Sequence, residues 1–344
     1  MSNQELQFNQ LNRRGFFRAS AQAAVGTATA ISLAEYSATG TAKAASPDSP
    51  ASPPASAGNR TALPLGALGQ AKISRMLLGG NLISGYMHCR DLKYVGGLFR
   101  AYVTEKKLIE TLALAEQHGI NTVFETGGDY VHKYNREFGA RMQFIPHIEV
   151  TAGQSESSLR DHIQKQVDTG AVALYVWGVA GDKLVQAGAV DQIARAVEMA
   201  KSMSRLPVGV GSHSLLVPMA CEKHKVPCDF YVKTLHSDNY PSATPKPQRK
   251  EFIWLDGGEG WYDNMWCINP EETIAFMKTV SKPWIAFKVL AAGAIYPRDG
   301  FSYALKNGAD FLAVGMLDFQ IKDNCELLAK MLRNFPERER PWFG

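Results

Sequence analysis

The chain has 344 residues, 45% of them hydrophobic and 20% charged, with a formal charge of +4. A large core is affordable, and an N-terminal extension is expected, because one (β/α)8 barrel takes roughly 250 residues. Acidic and basic residues are interspersed without a basic stripe, which argues against nucleic acid as a partner. Cys89, Cys221, Cys228, Cys267 and Cys325 are an odd set without metal-finger spacing, expected as free thiols. Cys221 and Cys228 are a pair that an oxidising compartment could join.

The N-terminus reads as a targeting segment. Asn12-Arg-Arg-Gly-Phe-Phe-Arg18 is followed by a modest apolar stretch, Ala19 to Ala34, too short and too weak for a stable membrane span. Ala42-Lys-Ala44 then fits a small-x-small cleavage pattern. The paired arginines resemble the twin-arginine export signal. That resemblance implies a signal peptide over residues 1–44, a periplasmic or otherwise extracytoplasmic protein, and the twin-arginine translocase as partner during export. Residues 45–60, rich in Ser, Pro and Ala, read as a linker, which leaves 61–344 for the folded domain.

From Leu63 onward strands alternate with amphipathic helices. Ile73–Gly80 is the first expected strand, and residues 82–103 an irregular connection containing Tyr86, His88 and Tyr94. Thr104 is the expected N-cap of a helix with Leu108, Leu112 and Ala115 on its buried stripe. Further strands are expected at 121–126, 143–151, 171–177, 207–213 and 229–235, with the clearest helices at 155–169 and 189–203. About 34 residues then precede a helix starting near Pro270, well beyond the usual loop length. This loop carries Tyr240, Trp254, Trp261, Tyr262 and Trp266 beside Asp256, Glu259 and Asp263, which suits either a lid over a sugar-like ring or a simple anchor.

The last unit is the most informative. Trp284–Leu290 and Phe311–Val314 are apolar runs without alternation, as in strands covered on both faces, joined by a short helix around 301–308. Eight such alternations make a (β/α)8 barrel, an α/β fold, the expected architecture. Gly293 and Gly315 follow the last two strands, where barrels commonly bind phosphate, and with Asn81 form the expected cofactor end.

The opening Leu65-Gly-Ala-Leu-Gly-Gln-Ala-Lys-Ile-Ser-Arg-Met-Leu-Leu-Gly-Gly80 and the segment Ala115-Glu-Gln-His-Gly-Ile-Asn-Thr-Val-Phe-Glu-Thr-Gly-Gly-Asp-Tyr130 resemble the aldo-keto reductases. The resemblance spans roughly residues 63–140. It implies NAD(P)-dependent oxidoreduction of a carbonyl or hydroxyl, with Glu125 and Tyr130 standing where the family keeps its catalytic Asp and Tyr. The family's Lys after the third strand and His after the fourth are replaced by the Ile145-Pro-His-Ile-Glu149 and Trp177-Gly178 stretches. Lys233 or Lys288 from other strands could stand in for the missing lysine.

Polar residues crowd the expected C-terminal strand ends: Asn81, Glu125, His147, Glu149, His213, Lys233, His236 and Lys288. Barrel strands are otherwise Val, Ile and Leu, so such a set reads as a site for a small polar, carbohydrate-like substrate. Trp261, Trp266 and His236 are its expected substrate contacts. Tyr130, Glu125, Lys233 and Lys288 are the expected catalytic groups. His147, Glu149 and His213 have the character of divalent-metal ligands. A metal-dependent or Schiff-base lyase or isomerase is therefore the alternative to hydride transfer, and a non-catalytic sugar-binding barrel is the non-enzymatic one.

Overall fold

A computed structural model describes residues 63–88, 92–251, 265–335, 338 and 340–344. The expected signal peptide, the linker, Cys89, and Trp254, Asp256, Glu259, Trp261, Tyr262 and Asp263 of the long loop lie outside the described residues.

Eight strands close into a barrel in which every neighbouring pair is parallel: β3 (Met76–Gly79), β4 (Thr122–Glu125), β5 (Gln143–Ile148), β6 (Leu174–Val176), β7 (Val208–Ser212), β8 (Phe230–Thr234), β9 (Trp284–Phe287) and β10 (Phe311–Val314). Along each strand, side chains of alternating parity serve two cores. Leu77, Phe124, Ile145, Tyr175, Val232, Ile285 and Phe311 fill the interior. Leu78, Val123, Ile148, Val176, Val210 and Leu312 face the surrounding helices. This parity decides which polar side chains reach the mouth.

The expected first strand is broken. Ala71–Ser74 (β2) pairs antiparallel with Leu65–Leu68 (β1), and the chain bends at Arg75 before β3. Leu68 and Ile73 of this hairpin join the interior cluster and close the N-terminal end of the barrel. Arg75 holds the bend by donating to the carbonyls of Asp310 and Gly344. The same end is stapled by the C-terminal tail. Buried Arg340 pairs with Asp310 at 2.8 Å and donates to the carbonyls of Met277, Gly308 and Val280.

The connection after β3 is also more regular than expected. It contains a helical turn over Gly80–Ile83 and a helix over Lys93–Tyr102, whose Gly96 and Gly97 hide its helical pattern in the sequence. Thr104 caps the next helix, Glu105–Gln117, by accepting from the Lys107 amide, and Ser155 does the same for Glu156–Val167. The remaining helices are Gly128–Phe138, Gly178–Gln186, Val190–Met203, Leu216–Lys223, Pro270–Met277, Pro297–Lys306 and Asp318–Arg333. Among the described residues no helix is long and apolar enough to cross a membrane. Cys221, Cys228, Cys267 and Cys325 are buried free thiols.

Candidate active site

Two cavities open at the C-terminal ends of the strands, of about 280 and 290 Å³. Asn81, Tyr86, His88, Glu125, Phe287 and Lys288 line both, so the two are lobes of one site joined at a waist. The first lobe lies over β3, β9 and β10 and includes Gly79, Gly80, Gly293 and Gly315. The second lies over β4 to β8 and includes His147, Glu149, Tyr175, Trp177 and His213.

The two groups at the waist reach it by breaking the strand rule. Phe124 and Phe287 belong to the interior cluster, so the residues after them should face the helices. Instead Glu125 and Lys288 adopt left-handed backbone, with φ of 81° and 56°, and both side chains line the mouth. Such conformations cost of order 1–3 kcal/mol for residues other than glycine and persist where the surroundings impose them.

Lys288 Nζ donates to His88 Nε2 at 2.6 Å and lies 4.0 Å from the centre of the Trp266 ring. Burial lowers its pKa to about 8, and the Glu125 carboxylate opposes that fall. His88 is pushed down to about 2, first by burial and then by Lys288 and His213, so it is neutral and accepts the lysine's hydrogen bond through Nε2. Glu125 Oε1 accepts from the indole of Trp177 at 3.0 Å, and its carbonyl lies 3.2 Å from His147 Nδ1. His147 stacks on Trp177, with ring centres 5.3 Å apart.

Other residues expected in the site stand elsewhere. Lys233 is wholly buried and lines neither lobe, because its neighbour Val232 takes the inward position on β8. Its ammonium donates to the carbonyl and hydroxyl of Thr234, and burial lowers its pKa. His236 also lines neither lobe. Its Nδ1 donates to the Ser237 carbonyl, and Nε2 accepts the amides of Trp266 and Cys267. It anchors Trp266, which does line the first lobe, rather than touching a ligand. Tyr130 sits in the first turn of the Gly128–Phe138 helix, packed on the outer core, and lines neither lobe.

The expected metal set is not assembled. His147 Nε2 and Glu149 Oε1 approach only to 3.6 Å, and His213 Nδ1 is 2.8 Å from Asp182. Among the described residues no group of three or more His, Cys, Asp or Glu side chains is placed to hold an ion. At the expected cofactor end, Gly293 has no amide to spare for a phosphate. The Gly293 N–H is spent on the Leu290 carbonyl, within a turn where φ is +92°. What glycine supplies there is the positive φ, since a Cβ built at Gly293 meets nothing within 4 Å. At Gly315 a built Cβ comes no closer than 3.5 Å, to Leu82.

The cofactor implied by the resemblance can be tested against this lining. Tyr86, Phe287 and Trp266 beside open glycines suit one face and edge of a planar ring. Lys288 at the waist is the one cation among the described residues lining that lobe, so a phosphate-binding set is not found among them. The lining therefore has room for a planar ring and, among the described residues, lacks the cations that would hold the cofactor's phosphates.

Three residues of the site carried no clear signal in the sequence. His88 lies in the connection after β3, where no pattern marked it. Asp182 is the one acid in the otherwise apolar start of the Gly178–Gln186 helix, a signal that could have been read. Tyr175 sits at an inward strand position that read as core.

No family model matches the sequence, and no curated protein matches it. Solved structures do. A protein from Pseudomona aeruginosa ascribed to the aldo-keto reductases is 14% identical with a TM-score of 0.54, the match covering 80% of this chain and 97% of that one. A second structure of an aldo-keto reductase so ascribed, from the same source, gives 14% and 0.52 over 78% of this chain and 95% of that one. A glycerol dehydrogenase from Gluconobacter oxydans is 11% identical, with a TM-score of 0.45 over 83% of this chain and 99% of that one. At such identity the likeness speaks for the fold alone: this chain is a (β/α)8 barrel of the shape that aldo-keto reductases share.

Proposed function

We propose that this protein is an oxidoreductase of aldo-keto reductase type, acting at a carbonyl or hydroxyl of a small polar substrate, with Lys288 as the proton donor. The observation that carries this reading is Lys288 at the waist between an aromatic-lined lobe and one holding His147, Glu149 and His213, its pKa lowered to about 8. A general acid works best with a pKa near the working pH. Lys288 would take the part that Tyr130, outside both lobes, is not placed to play. A nicotinamide bound in the first lobe would supply the hydride.

The chain's own residues account for the rest. His88 holds Nζ in place, and Trp266 and Phe287 shield it from water. Glu125 keeps the ammonium charged until an alkoxide forms, and the proton then passes from Nζ to that oxygen. Trp177 and Tyr175, with Glu125 and Glu149 in the same lobe, suit the apolar face and the hydroxyls of a carbohydrate-like molecule.

A second reading has a specific observation in its favour. A half-buried amine with a pKa near 8 is also a nucleophile, and imine formation at Lys288 would make the protein a Schiff-base lyase or isomerase. Two measurements separate the readings. Quenching of NAD(P)H fluorescence, with NAD(P)H oxidation in the presence of small hydroxyaldehydes and hydroxyketones, supports hydride transfer. Absence of nicotinamide binding, with borohydride trapping of dihydroxyacetone on Lys288 by peptide mass spectrometry, would replace it with the imine.

Export by the twin-arginine route belongs to the same proposal and is supported by the Arg13-Arg14 pair with its apolar stretch and cleavage pattern. Replacing both arginines by lysine should leave the precursor in the cytoplasm. Normal export of that variant would remove this part of the reading.

A further inference from the structure

One helix carries apolar residues on two faces. Lys93–Tyr102 turns Gly96 and Phe99 into the protein, where both are buried. On the opposite face, at helical spacing, stand Tyr94, Gly97, Leu98, Ala101 and Tyr102. All five are exposed, Tyr94 at 68% and Leu98 at 66%. Lys93 and Arg100 are the only charged residues of this helix. A surface helix turns a polar face to water, and one that is apolar on both sides is normally covered. Tyr102 donates to Asp318 at 2.6 Å, which brings Phe319, 65% exposed, to the same end of the stripe. The patch presents roughly 500 Å² of apolar surface, the main part of the ~800 Å² that each side of a standard interface buries.

We propose that this face is the contact between two copies of the chain, packed helix against antiparallel helix about a two-fold axis at Leu98. The pattern is self-complementary. Tyr94 lies one turn before Leu98 and Tyr102 one turn after it, so an antiparallel copy sets Tyr94 of one chain against Tyr102 of the other. Gly97 and Ala101 leave a hollow beside Leu98, and a Cβ built at Gly97 meets nothing within 4 Å. Leu98 of the second copy fills that hollow, and the small side chains let the two backbones approach closely. A lipid surface would use the same apolar side chains but gain nothing from the symmetry or the hollow. The helix begins shortly after His88, so the contact lies beside the connection that holds Lys288 in place.

The test is sedimentation equilibrium of the mature protein between about 1 and about 100 µM, where a dimer is expected. Leu98→Glu should raise the dissociation constant about 100-fold or more with an unchanged circular dichroism spectrum, because the axis would bury two carboxylates face to face. Gly97→Leu should weaken the dimer by filling the hollow while improving helix propensity, so its effect is not that of a lost helix. The arrangement is read from single cysteines in a Cys89→Ser background, oxidised with copper–phenanthroline. Leu98→Cys should give a disulfide-linked dimer, and Tyr94→Cys alone should not. A monomer throughout the concentration range overturns the proposal, as does a dimer that both Leu98→Glu and Gly97→Leu leave intact. Linkage through Tyr94→Cys in place of Leu98→Cys overturns the antiparallel two-fold. A monomer that binds phosphatidylcholine–phosphatidylglycerol vesicles, and loses that binding in Leu98→Glu, would give the face to a lipid surface instead.

Discussion

Lys288 and His88 stand 200 positions apart in the chain and meet with Nζ 2.6 Å from Nε2. The contact spans the waist of the site and holds the half-buried Lys288 ammonium where both lobes meet, whereas Lys233 is wholly buried and lines neither. Lys233 is turned behind its strand and tied to Thr234.

The pH dependence of turnover tests the role of Lys288. Its pKa is lowered to about 8, so the ammonium predominates below that pH and the free amine above it. A proton donor predicts a kcat/KM that falls as pH rises through about 8; an imine-forming amine predicts a rise over the same window. Lys288→Met should lower kcat/KM by about 10²-fold or more in either case.

Glu125→Gln keeps an oxygen for the Trp177 indole and removes the charge. The carboxylate raises the lysine pKa, so its loss lets burial act unopposed. The breakpoint in the pH–rate profile should move below about 8. An unmoved breakpoint would mean that the profile reports another group.

Tyr130→Phe should leave turnover within about twofold of wild type, because the phenol lines neither lobe, whereas losing a proton donor costs about 10²-fold or more. A large rate loss in this variant would return Tyr130 to the mechanism and displace Lys288.

His236→Ala leaves the amides of Trp266 and Cys267 without their acceptor, and should cost about 2 kcal/mol or more by urea unfolding at pH 7. The folded protein holds the pKa of His236 at about 4, below its ordinary 6.5. The unfolded chain therefore binds the extra proton, and wild-type stability should fall as pH drops from 6.5 towards 4. The variant should show a shallower fall across that window.

The barrel was legible because its causes are local. Apolar strands alternate with helices eight times, and each expected strand from the second onward is found within a few residues of its place. Thr104 and Ser155 were readable caps for the same reason, since a cap needs only the three residues that follow it. The break at Arg75 was not legible, because its partners, the carbonyls of Asp310 and Gly344, come from the far end of the chain.

The sequence alone also determined that polar side chains gather at one end of the barrel. Which of them share a space was decided by tertiary structure. Strand parity could have set Lys233 aside, since Val232 beside it points inward. The same parity would have misled at Glu125 and Lys288, where left-handed backbone turns an outward position into the mouth. Pairings such as Lys288 with His88, and Asp182 with His213, depend on closing loops between distant segments. The burial that sets their pKa values exists only once the barrel has closed around them, so no window of sequence contains it.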